Sequence, residues 1–308
     1  MRDAFFHELA HLYREDARVM FITGDLGYKL FDPLREIDPE RTINFGIREA
    51  AMVGFAAGLA KSGMLPFIYS IVPFMTLRCL EQIKIDLCYN RNRVVLVGVG
   101  GGFSYGANGP THYGIDDLGV LSCLPDLRLW TPADPIEVRS CVRAAASLDG
   151  PAYLRLGRNG EPNLHPPEQG LPSVDGPVLM RDGSSGTIVS CGVILHEVLA
   201  AADIVSAKGL SVRVVHLPLF RPFAQDAVKD YLMDGKPVLT VEEHVAAGGL
   251  GQEVAALLAG EGLSNRFRML SSPQAFPHVC LSRKAALAWA GLDAATIAQR
   301  FERLVSGA

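Results

Sequence analysis

The chain has 308 residues and a mass of 33.2 kDa, a length that predicts about two domains of roughly 100–200 residues each. Hydrophobic residues make up 49% and charged residues 20% of the sequence, which supplies a sizeable core and excludes global disorder. With 29 Lys and Arg against 33 Asp and Glu the net charge is −4, so the basic excess typical of a general nucleic-acid binder is missing.

Helices and strands alternate along the first half of the chain. The hydrophobic pattern predicts helices over residues 3–15, 49–61 and 76–89, and strands over residues 18–23, 42–45, 65–69 and 94–99. Helix 49–61 is apolar on all sides and is therefore expected to be buried. A glycine-rich loop follows the last of these strands, over residues 100–110. The alternation predicts an α/β fold in which helices cover both faces of a parallel sheet.

A proline- and glycine-rich segment, residues 161–186, predicts a linker between two domains. The alternation resumes after it, with strands predicted over residues 187–191, 211–217 and 237–242 and helices over residues 193–208, 223–234 and 249–259. The sequence therefore predicts two parallel-sheet α/β domains, residues 1–160 and residues 187–308. Nothing in the sequence marks the second domain as a tandem copy of the first.

The sequence indicates neither membrane insertion nor secretion. Its longest apolar stretches, residues 50–60 and 94–99, fall short of the ~18 residues that a membrane span needs. Acids and histidines interrupt residues 1–16, so neither a signal peptide nor an anchor is expected there. The six cysteines have no CxxC or zinc-finger spacing, and they predict reduced thiols in a cytoplasmic protein without a metal site of its own.

Two polar residues stand out against their apolar surroundings. Glu49 opens the apolar helix, where a carboxylate either contacts the free N–H groups of the first turn or, at a cleft, shares a proton with a ligand nitrogen. His112 follows the glycine-rich loop in the string GPTH. It belongs either to a structural turn or to the strand-end crevice where α/β sheets bind ligands. Gly98-Val99-Gly100 lacks the third glycine of a dinucleotide fingerprint.

Other candidates are weak when taken alone. Phe74 is typical of a core residue, although Arg78 follows it on the same predicted helix segment. Arg2, Arg155 and Arg158 carry the guanidinium group that suits phosphate, but scattered arginines are usually solvated. These residues become informative only in combination with their neighbours.

Five strings in a fixed order carry a family resemblance. Along the chain the sequence contains TGDLG, NFGIREAAMVGFAAGLA, YSIVPFMTLRCLEQIKIDL, GANGPTHYGIDDLGVLSCLPDLRLWTPADP and PVLTVEEHVAAGGLGQEVA. Together they resemble the pyrimidine-binding and C-terminal domains of transketolase and of its relative, deoxyxylulose-phosphate synthase. The resemblance does not include the family's N-terminal domain, which holds the diphosphate of thiamine diphosphate through magnesium. It therefore implies the β subunit of a split transketolase, with a separate α subunit that carries the diphosphate and metal site.

The resemblance implies a set of cofactor contacts. Glu49 matches the glutamate that hydrogen-bonds the aminopyrimidine ring nitrogen and helps to remove the proton from the thiazolium carbon. Phe74 matches an aromatic residue that stacks on the pyrimidine, and Asp25 matches an aspartate close to the cofactor. Ile71 and Leu77 stand where the family has further aromatic residues, so we expect a reduced aromatic collar around the ring.

The resemblance also implies substrate contacts. His112 matches the histidine that contacts the donor sugar's oxygens, and Arg158 and Arg2 match arginines that hold the sugar phosphate. Two positions depart from the family. Asn108 replaces an aspartate that recognises a substrate hydroxyl, which removes a charge, and Lys29 stands near a serine at the phosphate end. These departures concern the identity of the substrate more than the reaction class.

The expected activity is transfer of a two-carbon ketol unit from a ketose phosphate to an aldose. An α2β2 heterotetramer is expected, with β–β contacts through helix 49–61 and the C-terminal domain. The alternatives are the β subunit of a 2-oxoacid dehydrogenase or decarboxylase, a deoxyxylulose-phosphate-type synthase, and a non-catalytic partner subunit. GPTH and the pairing of Arg2 with Arg158 favour transketolase, and the presence of Glu49 and His112 argues against a non-catalytic subunit.

Overall fold

The strands form two mostly parallel sheets. A computed structural model describes residues 1–307. Its strands are β1 (Val19–Thr23), β2 (Thr42–Asn44), β3 (Leu65–Ile71), β4 (Val95–Val99), β5 (Arg128–Trp130), β6 (Ala152–Leu156), β7 (Val178–Arg181), β8 (Gly186–Ser190), β9 (Val212–His216), β10 (Leu219–Arg221), β11 (Val238–Val245) and β12 (Phe267–Ser272).

Helices connect these strands and cover the sheets. They are α1 (Arg2–Glu15), α2 (Asp32–Ile37), α3 (Glu49–Lys61), α4 (Val72–Met75), α5 (Leu80–Gln82), α6 (Asp117–Leu121), α7 (Pro135–Ser147), α8 (Leu195–Ser206), α9 (Gln225–Asp230), α10 (Leu250–Gly260), α11 (Arg283–Ala290) and α12 (Ala294–Ser306). None of the helices in residues 1–307 has the length and apolar character that a membrane crossing requires.

The strand order confirms the predicted fold class. Within residues 1–307 the first sheet has seven strands in the order β10-β5-β6-β4-β3-β1-β2, and the second has five in the order β12-β11-β8-β9-β7. Neighbouring strands run parallel, apart from β10 against β5 and β7 against β9. The protein therefore consists of two mostly parallel sheets with helices.

The first sheet is buried on both faces, which explains its continuous apolar strands. Alternate side chains of a strand point to opposite faces. Phe21 and Phe67 belong to one hydrophobic cluster with residues of α1 and α7, whereas Ile22 and Ile68 belong to a second cluster with residues of α3. This double burial is the arrangement expected of a parallel sheet between helical layers.

Two strands of the second half lie where the sequence pattern does not suggest them. β7 falls inside the segment predicted to be a linker and pairs with β9. β10 crosses to the first sheet, where Leu219 pairs with Trp130 of β5. The second half therefore forms part of the sheet that carries the candidate site.

The region predicted as one helix over residues 76–89 is irregular, so that prediction was wrong in its start and its regularity. Helix α4 begins at Val72, and Leu77–Cys79 form a 3-10 turn. After α5, Ile83–Tyr89 continue as π-helix. The break falls at Thr76, whose φ and ψ are −101° and −71°. Such irregular turns are frequent at functional sites, and this one carries Phe74 and Arg78.

Candidate active site

Glu49 is a buried carboxylate on which several elements converge. It lies in the first turn of α3 and is 1% exposed. Its Oε1 accepts a hydrogen bond from the Ser70 hydroxyl at 2.9 Å, and its Oε2 accepts one from Nη1 of Arg78 at 2.6 Å. A side-chain carbon at Gly24 would lie 3.3 Å from Oε1. Glu49 therefore lies at the C-terminal ends of β1 and β3, the edge where α/β sheets bind ligands.

Arg78 lies between this carboxylate and an aromatic ring. Its guanidinium carbon is 4.4 Å from the centroid of the Phe74 ring, a distance at which a cation and an aromatic face attract each other. The same guanidinium donates to Glu49. A flat, nitrogen-bearing cation is therefore held by a buried carboxylate and an aromatic face together.

Contacts continue from Phe74 toward the predicted phosphate end. The Phe74 and His112 rings meet edge to face with centroids 5.3 Å apart, and the centroid of Tyr105 lies 6.2 Å from that of His112. The guanidinium of Arg158 covers Tyr105 at 5.0 Å. We call this series the contact line; its members are Glu49, Arg78, Phe74, His112, Tyr105 and Arg158.

The two ends of the substrate region are defined by His112 and Arg2. The Thr111 hydroxyl lies 2.9 Å from Nδ1 of His112. Burial lowers the pKa of His112, which favours the neutral ring at neutral pH. The backbone N–H of Arg2 donates to the carbonyl of Arg158 at 3.3 Å, and Arg2 Nε donates to Asn159 Oδ1 at 3.3 Å. Arg2 and Arg158 therefore lie side by side.

Asp25 and Lys29 lie in the loop after β1. Asp25 follows Gly24 in a left-handed conformation with φ of 63°. Its carboxylate accepts hydrogen bonds from Asn44 Nδ2 at 2.9 Å and from the Tyr28 hydroxyl, and these bonds, Asn44 first, hold the pKa of Asp25 below its usual value. Lys29 is exposed with φ of 69°. Within residues 1–307 its side chain makes no hydrogen bond or ion pair with the contact line.

The remaining predicted residues lie around the contact line without joining it. Ile71 ends β3 and is partly buried, whereas Leu77 is 42% exposed. Asn108 ends a 3-10 turn four residues before His112 and is exposed. Residues 1–307 contain no group of three or more His, Cys, Asp or Glu arranged to hold a metal ion.

The second half of the chain supports the loop that carries His112. A side-chain carbon at Gly106 would lie 2.6 Å from the Leu281 carbonyl oxygen, and one at Gly102 would overlap the side chain of Glu243. Such close approach requires glycine. The C-terminal domain therefore packs directly against the glycine-rich loop.

Sequence reasoning left Ser70, Arg78 and Tyr105 without a role. The spacing of Phe74 and Arg78, one helical turn apart, is the signal that pairs them, whereas Tyr105 has no such signal. Arg155 differs from the other candidate phosphate ligands. It is 5% exposed and its Nε donates to Asp117 at 2.9 Å, so its guanidinium is occupied inside the protein.

Family comparisons cover most of the chain. The model of the transketolase pyrimidine-binding domain matches residues 1–162, and the model of the transketolase C-terminal domain matches residues 177–297. The chain belongs to the transketolase family. The family suggested by the order of motifs is therefore confirmed.

Several family members resemble the chain over most of their length. One of the two-chain relatives, a subunit of the apulose-4-phosphate transketolase of Actinobacillus succinogenes, is 36% identical over 225 residues, covering 73% of this chain and 72% of that protein. The 6-deoxy-6-sulfo-D-fructose transketolase subunit of a Clostridium species is 29% identical and covers 92% and 87%. A solved split-gene transketolase, described as an inactive β4 tetramer, has a TM-score of 0.89 at 29% identity, with coverage of 99% and 98%. The chain is thus similar to β-type subunits of split transketolases.

Proposed function

We propose that this transketolase-family chain is the β subunit of a thiamine-diphosphate-dependent enzyme that transfers a two-carbon ketol unit from a ketose phosphate to an aldose. A separate α subunit holds the cofactor's diphosphate and magnesium. The contact line carries the proposal, because it joins a buried carboxylate, an aromatic face, a histidine and an arginine in one continuous path. The names of the similar subunits support the division into two chains.

The surroundings of Glu49 fit an aminopyrimidine ring. The guanidinium of Arg78 is flat, stacks on Phe74 and donates to Glu49. An aminopyrimidine has the same combination of a flat face and nitrogen-bound protons at its edge. Gly24 adds backbone without a side chain beside the carboxylate. We infer that the ring and the Arg78 guanidinium occupy the same place in turn, since the Arg78 side chain is 42% exposed and free to move outward.

Glu49 and His112 have distinct roles in this proposal. Glu49 shares a proton with the ring nitrogen, and its 1% exposure keeps water from competing. When bound, thiamine diphosphate supplies the carbon nucleophile. With the Thr111 hydroxyl donating to Nδ1 of His112, the proton of the neutral ring lies on Nε2. This nitrogen then donates to an oxygen of the sugar and stabilises charge that develops there.

The donor is proposed to carry an anion at the end remote from its carbonyl. Arg158 and Arg2 lie together at the far end of the contact line, and guanidinium groups bind phosphate or sulfonate oxygens through paired N–H donors. The names of the two similar subunits include a phosphate and a sulfo group. Lys29 and Asn108 are proposed to influence the choice among such donors, and Asp25, Ile71 and Leu77 to border the cofactor.

Assembly is proposed to place two β subunits and two α subunits in one cytoplasmic α2β2 complex. Apolar side chains on and near α3 are exposed, with Ile47 at 72% and Phe55 at 39%. Exposed apolar groups of this kind mark interaction sites. Residues 1–160 and 187–308 are proposed to act as the pyrimidine-binding and C-terminal domains, joined by residues 161–186.

Cofactor affinity should depend on the α subunit. We expect this chain alone to bind thiamine diphosphate with magnesium roughly a hundredfold more weakly than the complex, because it lacks the charge-assisted contacts to the diphosphate, worth ~1.5–3 kcal/mol each. Titration calorimetry on the chain, on the α subunit and on their mixture measures the difference. Micromolar, magnesium-dependent binding by this chain alone would overturn the proposed division of the site.

A further inference from the structure

A cavity of about 510 Å³ opens on the C-terminal domain, between strand β12 and helix α12. It lies on the second sheet, whereas Glu49 lies at the edge of the first. Its wall includes the apolar side chains of Leu239, Phe267, Leu270 and Leu304. Its polar lining is provided by the side chains of Arg266, Arg268, Arg300 and Arg303. Cavities of ~300–1,000 Å³ are of the size that holds small molecules.

The periodicity of each element brings the arginines together. Arg266 and Arg268 are two residues apart along extended backbone at the start of β12, which places both on one side of the strand. Arg300 and Arg303 are three apart on α12, which places both on one face of the helix. Two independent elements therefore direct cationic side chains into the same concave surface.

These four cations lack partners of opposite charge among residues 1–307. Arg266 donates to the carbonyl of Val305 and Arg268 to that of Phe267, both at 3.0 Å and both neutral acceptors. Glu302 lies on the same helix, but its carboxylate is paired with Lys208 at 2.6 Å, beside a neighbouring cavity. The cluster is concentrated positive charge in a chain of net charge −4, and clustered like charges destabilise a surface unless an anion joins them.

Protection of an exposed sheet edge does not explain the whole cluster. β12 is the last strand of its sheet, and charges on an edge strand discourage pairing with other chains. That role accounts for Arg266 and Arg268. It does not account for Arg300 and Arg303, which lie on the helix and line the same cavity.

We propose that this cavity is a binding site for a small molecule that carries two or more phosphate groups, with Arg266, Arg268, Arg300 and Arg303 holding the phosphates. Guanidinium forks pair with phosphate oxygens in a bidentate way. The apolar wall around Phe267 accommodates the uncharged part of such a molecule. The site is separate from the contact line and does not depend on ketol transfer.

The test measures binding of inorganic tripolyphosphate and of ATP to the full chain at low ionic strength by titration calorimetry. The double variant R300Q/R303Q is compared with R18Q/R181Q, which removes the same charge from arginines that are paired with Asp16 and Asp203. We expect both probes to bind the parent chain and the control variant, and R300Q/R303Q to lose at least about tenfold in affinity. Affinity should fall steeply with added salt.

The melting temperature without ligand provides a second readout. R300Q/R303Q should melt at or above the parent, because the change relieves repulsion between like charges. Equal loss of affinity in both double variants would overturn the proposal, since it would show general attraction to positive charge. Binding of long polyanions such as heparin without binding of either probe would also overturn it. So would absence of probe binding together with an altered oligomeric state of R300Q/R303Q, which would identify the surface as an interface between chains.

Discussion

Glu49→Gln is expected to lower the kcat of the reconstituted enzyme by roughly a hundred- to ten-thousandfold, the contribution typical of a positioned acid–base group. Glutamine keeps the size of the side chain but has neither the negative charge nor the exchangeable carboxyl proton. Glu49 is 1% exposed, so water cannot replace it. The loss should fall on kcat, since Glu49 does not touch the sugar in this proposal. Steady-state kinetics with saturating cofactor measure the effect.

A matched control for Glu49 is Glu81→Gln. Glu81 is exposed on α5 and forms no ion pair within residues 1–307, so this change should leave kcat near its parental value. If Glu49→Gln retained more than about a tenth of the parental kcat, the proton-sharing role of Glu49 would be wrong.

Arg155→Met is expected to destabilise the chain by about 3–5 kcal/mol, the usual cost of leaving one charge of a buried pair without its partner. The Arg155 and Asp117 side chains are 5% and 0% exposed. Asp117 also accepts a hydrogen bond from the Tyr153 hydroxyl at 2.7 Å, and Arg155 Nη2 donates to the Glu243 carbonyl at 3.0 Å. The variant leaves the Asp117 carboxylate buried and unpaired by charge. Urea denaturation followed by circular dichroism measures the loss.

The double variant Arg155→Met with Asp117→Asn separates the lost pair from the orphaned charge. It should recover part of the stability, because the remaining amide is neutral and still bonds to Tyr153. A loss of less than about 1 kcal/mol for Arg155→Met alone would show that water or neighbouring groups compensate Asp117.

Local pattern in the sequence predicted the regular elements well. The helix over residues 49–61 has the same bounds in the structure, and the apolar strand predicted over residues 94–99 is β4 over Val95–Val99. Long-range pairing was not predictable in this way. β10 joins the first sheet through its contact with β5, and no local periodicity indicates which sheet a short strand will join. The irregular turn at Thr76 likewise depends on the packing of α4.

The candidate site was predicted in part. Glu49, Phe74, His112 and Arg158 occur far apart in sequence, and the structure brings them into one contact line. Their roles stay predictions. Tyr105, which joins His112 to Arg158, could not be found from the sequence because its part is purely spatial. Nothing in the sequence separates the buried Arg155 from the accessible Arg158, since both follow or end the same apolar strand.

The measurement that tests the central proposal most directly is ketol transfer by the reconstituted enzyme. The chain is mixed with its candidate α subunit, thiamine diphosphate and magnesium, and transfer from xylulose 5-phosphate, fructose 6-phosphate or a sulfonated ketose to an aldose is followed. We predict activity that needs both subunits and is lost with Glu49→Gln. A stable complex that binds the cofactor but transfers no ketol unit, or that consumes pyruvate instead, would contradict the proposed function.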